Sequence, residues 1–212
     1  MNKLYVQYGC GLSAPESWIN FDASPTLRIQ KTPVLSTLLK RKLNVVFPPA
    51  VKYGDIIKGL PVPDNSCDAV YCSHILEHLS LNDFRIALKN TLKILKRGGT
   101  FRCVVPDLEF FSRQYLAALE KGDIDAGPRF IGQDTLLGLY DRPRGIKGTI
   151  ISLFGNSHHL WMWDYPSLSV ELSNAGFKQP RRCTFNDSPD EMFLRVEEES
   201  RFTNCLAIEC FK

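Results

Sequence analysis

The sequence predicts an α/β domain: a doubly wound, mostly parallel sheet, with an antiparallel strand pair at its C-terminal end and an insertion over the carboxyl ends of the strands. Three observations lead there. Apolar runs bounded by turn residues recur through the first half of the chain, each too short for a helix and rich in Val, Ile and aromatics. An amphipathic segment of helical period separates two of these runs, and strand–helix–strand with short connections puts parallel strands side by side. The length of 212 residues, 44% of them hydrophobic, supplies one sizeable core but not two full domains.

The strands are predicted at Leu4–Tyr8, Trp18–Phe21, Ala69–Cys72 and Thr100–Val105. Between the last two lies "SLNDFRIALKNTLKILKRGG", where Ser80 and Asp83 match a capping box and Phe84, Ala87, Leu88, Thr91, Leu92 and Leu95 fall at helical spacing. Gly98 and Gly99 are expected to stop that helix. The stretch 110–159 is less regular, with "KGDIDAGPRF" and "YDRPRGIKG" full of Gly, Pro and charge, and is predicted to lie over the rim of the sheet. "DYPSLSVELSNAGF" then predicts a helix ending at Gly176, and "RRCTFND" and "FTNCLAIECF" an antiparallel pair. The whole of 1–212 is thus expected to form one domain.

Composition excludes several classes. A net charge of +3 is too mild to argue for nucleic acid, although Arg28, Lys31, Lys40, Arg41 and Lys42 concentrate positive charge in one early segment. Seven scattered cysteines without a Cys-x-x-Cys pair fit neither a disulfide framework nor a zinc ribbon, so reduced thiols and a cytoplasmic location are expected. No signal peptide and no apolar run of membrane-spanning length are evident.

A parallel sheet binds ligands beyond the carboxyl ends of its strands. The predicted rim therefore holds Gly9–Gly11, Asp22, Ser73–His74 and Pro106–Asp107. "GCGLSA" satisfies Gly-x-Gly-x-x-Ala, a dinucleotide fingerprint, but Asp22 follows too soon after Gly11 and leaves hardly room for a phosphate-binding helix. A cofactor without phosphate removes that demand. S-adenosylmethionine needs a backbone turn for its amino-acid moiety, a carboxylate for the ribose hydroxyls and a polar group for the adenine. Gly9 and Gly11 can give the turn, Asp22 the carboxylate, and Asp55 of "YGDI" an acceptor for the adenine amino group, with Ile56 against the ring.

"YGCG", "WINFD", "YGDI", "LPVPDNSCDAVYCSHILEHL", "LKILKRGGTFRCVVPD" and "LSNAGF" occur in this order. In them the chain resembles class I S-adenosylmethionine-dependent methyltransferases, in particular the small bacterial type-11-like group, over about residues 4–109 and more loosely 158–212. The resemblance implies a Rossmann-like methyltransferase fold. It also implies that Gly9, Cys10 and Gly11 wrap the methionine part, Asp22 takes the ribose, Asp55 and Ile56 hold the adenine, and Ser73 and His74 lie beside the sulfonium. Two departures stand out: Gln7 occupies a position usually acidic in that family, and only Leu12 to Ser17 separate the turn from the second strand, room for at most one helical turn. With the first strand opening the sequence, cover for the cofactor is expected from 110–159.

His74-x-x-Glu77-His78 also has the spacing of a zinc motif, in which positions 74 and 78 share a helix face, and His158 and His159 are the further imidazoles on offer. In a methyltransferase-like context Leu-Glu-His-Leu is ordinary, so no metal is expected. "NSHHLWMWDYP" returns from the insertion and offers Trp161 and Trp163 as a stacking platform. His78, His158, His159 and Asp107 are the candidate catalytic groups for methylating a small-molecule or glycan-type acceptor, on oxygen more readily than on nitrogen, and with an anionic acceptor favoured slightly by the basic segments. An NAD-dependent oxidoreductase and a non-catalytic S-adenosylmethionine-binding module are the alternatives.

Overall fold

The six predicted strands and one short addition pair into one seven-stranded sheet of order β3-β2-β1-β4-β5-β7-β6. A computed structural model describes residues 3–32, 45–140 and 158–212. The strands are β1 (Tyr5–Tyr8), β2 (Ile19–Asp22), β3 (Lys52–Tyr53), β4 (Cys67–Ser73), β5 (Leu95–Pro106), β6 (Lys178–Cys183) and β7 (Cys205–Phe211). The first five are parallel, and β7 pairs antiparallel with both β5 and β6. Strand order reverses between β1 and β4, which opens a crevice at their carboxyl ends.

Alternation along the strands divides the core. Val6, Val70 and Phe101 pack under helices α2 (Leu81–Ile94) and α4 (Tyr165–Ala175), where Phe84, Leu88, Leu168 and Leu172 are fully buried. Tyr5, Ala69, Tyr71 and Val104 point to the other face, which is covered by Trp18 and by Phe193 and Val196 of the β6–β7 connection. Ser80 caps α2 as expected, accepting from the Asp83 main-chain N–H at 3.3 Å, and Gly176 ends α4 with φ +107°.

Four features differ from expectation. Helix α2 ends at Ile94 rather than at the glycines, and β5 begins directly at Leu95. Gly98 and Gly99 lie inside that strand, where Gly98 has φ +77° and a Cβ on Gly99 would come within 3.0 Å of the Cys67 carbonyl, so close strand approach requires glycine there. The start of the stretch 110–159 is regular, because α3 (Leu108–Glu120) runs through it with Asp107 as its cap; residues 141–157 of that stretch lie outside the described residues. Helix α1 (Pro25–Lys31), capped by Ser24, and the two-residue β3 are additions to the predicted elements.

The short β1–β2 connection holds without a helix. Gln7 Nε2 donates to the Ser13 carbonyl (2.9 Å) and to Asn20 Oδ1 (2.6 Å), and Asn20 Nδ2 donates to the Pro15 and Trp18 carbonyls. Two buried amides thereby satisfy a loop that has no ladder of its own. The Gln7 amide supplies two donors here that a carboxylate at position 7 could not.

Candidate active site

The crevice between β1 and β4 starts where β1 ends. Gly9 takes φ +64° and Gly11 φ +55°, both in the left-handed region. A Cβ on Gly9 would strike Ile75 Cδ1 at 2.0 Å, whereas beside Gly11 there is only open space. Asp22, at the end of β2, accepts from the Gly11 N–H (3.1 Å) and the Ser24 N–H (2.8 Å), one bond on each oxygen. Each oxygen keeps a lone pair for a further donor. Cys10 between the glycines is buried, and its thiol is pushed up to about 12 by burial and then by the nearby Asp22 charge.

Asp55 follows β3 and accepts from the Ile57 N–H with Oδ1, while Lys58 stands 3.5 Å from Oδ2. Ile56 is 5% exposed and belongs to the core, so it backs this loop more than it presents a surface. Ser73 ends β4 and lines the crevice together with Gln7, Gly9, Ser13, Glu198 and Arg201. Arg201 Nη1 donates to the Ser73 carbonyl at 3.3 Å, and its Nε stands 3.8 Å from Glu198. These two charged side chains escaped the sequence reading; they come from a 3-10 turn between β6 and β7 whose position beside β1 no local pattern announces.

The open turn at Gly11, the carboxylate of Asp22 with acceptor capacity to spare, and Asp55 on the neighbouring loop fit S-adenosylmethionine. They are poorly suited to a pyrophosphate, because no helix follows the glycine turn.

The histidines are arranged differently from the predicted helix. His74 sits alone with φ +55°, and only Leu76–His78 form a single 3-10 turn, so positions 74 and 78 do not share a helix face. His74 Nε2 donates to the Arg201 carbonyl at 3.0 Å, and its Nδ1 stands 3.3 Å from Glu77 Oε1. Burial opposes its charge, but the contacts with Cys205, Glu77 and the Arg201 carbonyl outweigh this and push it up to about 10.

His78 and His159 face each other edge to face, with ring centroids 5.0 Å apart. His78 Nδ1 lies 3.0 Å from the His158 carbonyl and His159 Nδ1 lies 2.8 Å from the Thr135 carbonyl. A carbonyl can only accept, so both Nδ1 atoms carry the proton and both Nε2 atoms present a lone pair. Burial lowers the pKa of His159 below the usual imidazole value. His158 itself turns Nδ1 into the interior, where it meets no partner among the described residues. Asp107 caps α3 through the Glu109 N–H and lies 3.5 Å from Arg182, so it holds the rim in place.

Of the expected tryptophan platform, only one half is open: Trp161 is 41% exposed and Trp163 2%, the latter stacked on Phe84 at 4.3 Å. Trp161 lines an apolar surface groove with Leu81, Pro166 and Val170.

The comparisons agree with this geometry. Residues 6–103 match the family model described as a methyltransferase domain, a span that includes the glycine turn, Asp22, Asp55 and the histidine turn. Comparison with curated sequences yields no match. Among solved structures, a possible histamine N-methyltransferase from Thermotoga maritima is similar with a TM-score of 0.51 at 17% identity, covering 100% of this chain and 83% of that one. PigF with SAH gives 0.50 at 13% identity, over 99% of this chain and 50% of that one. The CurJ carbon methyltransferase gives 0.50 at 12%, over 99% and 48%. At such identities these structures speak for the fold. With the family model matched across the loops that build the rim, and with a sheet and crevice of the same fold as solved methyltransferases, residues 6–103 carry a methyltransferase domain of the S-adenosylmethionine-dependent kind.

Proposed function

We propose that the chain methylates an oxygen of a small-molecule or glycan-type acceptor, and that the site residues divide between cofactor and acceptor as follows. Gly9, Cys10 and Gly11 wrap the methionine end, Asp22 takes the ribose hydroxyls on its remaining lone pairs, Asp55 accepts from the adenine amino group with Ile56 behind it, and Ser73 and His74 border the reacting centre. Glu198 and Arg201 supply the opposite charges that an amino-acid moiety asks for and that Gln7 does not provide.

Bound there, S-adenosylmethionine supplies a methyl group already activated by the sulfonium: the acceptor oxygen forms the C–O bond as the C–S bond breaks, and its electron pair stays on the thioether sulfur. Alignment does most of the remaining work. The observation that carries the choice of oxygen is the pair of Nε2 lone pairs on His78 and His159 beside the rim. A hydroxyl becomes acidic as it attacks, and such a nitrogen accepts its proton. His158 and Asp107 stand behind these two as candidates, Asp107 with the weaker claim because its carboxylate already caps a helix.

An anionic group on the acceptor is part of the proposal, supported by Arg28 and Lys31 on α1; Lys40, Arg41 and Lys42 lie outside the described residues. Seven free thiols support a reducing, cytoplasmic setting. Among the described residues no helix is long and apolar enough to cross a membrane.

The test is calorimetric titration with S-adenosylmethionine, S-adenosylhomocysteine and NAD, followed by transfer of labelled methyl to a panel of hydroxylated acceptors and their amino analogues. Micromolar binding of the first two and labelling of hydroxyls are expected. Labelling of amines alone overturns the choice of oxygen, and binding without transfer to any acceptor favours a non-catalytic module.

A further inference from the structure

Glu77 is fully buried, and neither carboxylate oxygen has a hydrogen-bond partner among the described residues. His74 Nδ1 approaches Oε1 to 3.3 Å and His78 Nε2 to 3.9 Å, both outside hydrogen-bonding geometry. His74 beside Oε1 offsets part of the cost of burying this carboxylate, and Oε2 is left with no partner among the described residues.

What surrounds it is a ligand set. One oxygen of Glu77 and one ring nitrogen each of His78 and His159 lie within 4.8 Å of one another. The free ring nitrogens are the Nε2 atoms, because both Nδ1–H groups are spent on main-chain carbonyls, the same second contact that fixes the tautomer of metal-bound histidine. Further main-chain bonds lock the two segments together: the Leu160 and Trp161 N–H groups donate to the Glu77 carbonyl at 2.7 and 3.1 Å.

We propose that Glu77, His78 and His159 form a binding site for a divalent transition metal ion of the zinc type, with His78 Nε2, His159 Nε2 and a Glu77 carboxylate oxygen as ligands. A small closure of the three side chains reaches the ~2.0–2.2 Å ligand distances of that ion. Two imidazoles and one carboxylate leave a coordination position open, as in catalytic rather than structural sites. His78, partly exposed, gives that position its access to the rim. Resting on the reading of the chain as an oxygen methyltransferase, the open position takes the acceptor's hydroxyl oxygen, whose acidity the ion raises so that its proton passes to solvent; with the ion bound, His78 and His159 serve as ligands in place of the base role given them above, and binding of the ion itself rests only on the three side chains.

The experiment uses the full chain, freed of metal with a chelator and titrated with Co²⁺ in place of zinc. One equivalent is expected to bind with the visible d–d absorption of a four- or five-coordinate ion, and Zn²⁺ is expected to displace it. Affinity should fall at least tenfold in Glu77→Gln and in His159→Gln and stay within twofold in His158→Gln, with circular dichroism checking the fold of each. Absence of saturable binding in the unsubstituted chain overturns the proposal, which would leave Glu77 as the partner of a charged His74. Equal affinity in both ligand variants also overturns it. So does a thiolate charge-transfer band that vanishes in Cys205→Ser, which would put the ion on Cys205 and His74, 3.7 Å apart. S-adenosylmethionine binding by the metal-free chain is read separately, so failure of the metal site and failure of the methyltransferase reading give different results.

Discussion

Asp22 does two jobs that a single substitution can separate. Its carboxylate accepts two main-chain N–H groups that shape the glycine turn, and each oxygen keeps a lone pair for the ribose hydroxyls of the proposed cofactor site. Asp22→Asn keeps an acceptor on the turn but removes the charge, and Asp22→Ala removes both. Losing hydrogen bonds to a charged group costs about 1.5–3 kcal/mol, so Asp22→Ala is expected to weaken S-adenosylhomocysteine binding by roughly 10- to 150-fold in calorimetry, with Asn intermediate. Unchanged affinity would remove Asp22 from the ribose site. Gly9 is a different case, because its constraint is steric. A methyl group there would meet Ile75 Cδ1 at 2.0 Å on a backbone that favours glycine. Gly9→Ala should therefore lower stability by about 1–3 kcal/mol in chemical denaturation even with no cofactor present.

At the scale of elements, the neighbouring strands β5, β6 and β7 are tied by a buried charge cluster. Arg102 on β5 is fully buried and donates from Nε to Glu197, from Nη1 to Asp187 (2.9 Å) and Glu209 (3.3 Å), and from Nη2 to the Thr184 carbonyl. Arg102→Met would leave Glu197 without its cation and Glu209 held by Arg181 alone, and a broken buried pair typically costs ~3–5 kcal/mol. Denaturant unfolding should show a loss of that order. Burial alone would raise the pKa of Asp187, but bonds from the Thr184 N–H and from Arg181 and Arg102 hold its carboxyl below the usual carboxylate range. Because its folded pKa is the depressed one, its contribution is complete above the unfolded value near ~4 and disappears as pH falls below it. Asp187→Asn should accordingly flatten the acid limb of the stability profile. Elements of this kind differ in how plainly the sequence announces them. The four central strands were legible because both faces are buried and the apolar runs are continuous. Helix α3 was not, although its apolar residues recur at helical spacing, because the Gly, Pro and charge farther along 110–159 dominate the pattern of the whole stretch and the helix itself buries no residue fully. Asp22 and the glycine turn were legible from local spacing. The approach of His159 to Glu77 and His78 was not, since it depends on the return of the chain after a long excursion, and the helical spacing that linked His74 to His78 gives way to a left-handed residue and one 3-10 turn.

For the whole molecule, the crevice lies where strand order reverses and its walls come from distant parts of the chain: the end of β1 and the loop after it, the end of β4, and the turn before β7. Arg201 bridges two of these walls through the Ser73 carbonyl, and His74 Nε2 returns a bond to the Arg201 carbonyl. A ligand seated between them binds only the folded chain, so its binding free energy adds to the stability of the entire sheet rather than of one loop. At a concentration 100 times its Kd, S-adenosylhomocysteine should contribute about 2.7 kcal/mol. For a domain of this length that corresponds to a rise of roughly 5–10 °C in Tm, read by scanning fluorimetry or calorimetry. NAD at the same concentration should leave Tm unchanged, because the glycine turn opens no helix for its pyrophosphate. Arg201→Ala is the informative variant: it removes the bridge together with one of the two charges offered to the amino-acid moiety. Its own Tm should move little, since the guanidinium is 38% exposed and its ion pair with Glu198 lies at the surface. The ligand-induced rise at a fixed concentration should shrink. A variant that loses several degrees without ligand but keeps the full rise would make Arg201 a structural clasp, and the cofactor's carboxylate would then have to be met by the main chain of the glycine turn.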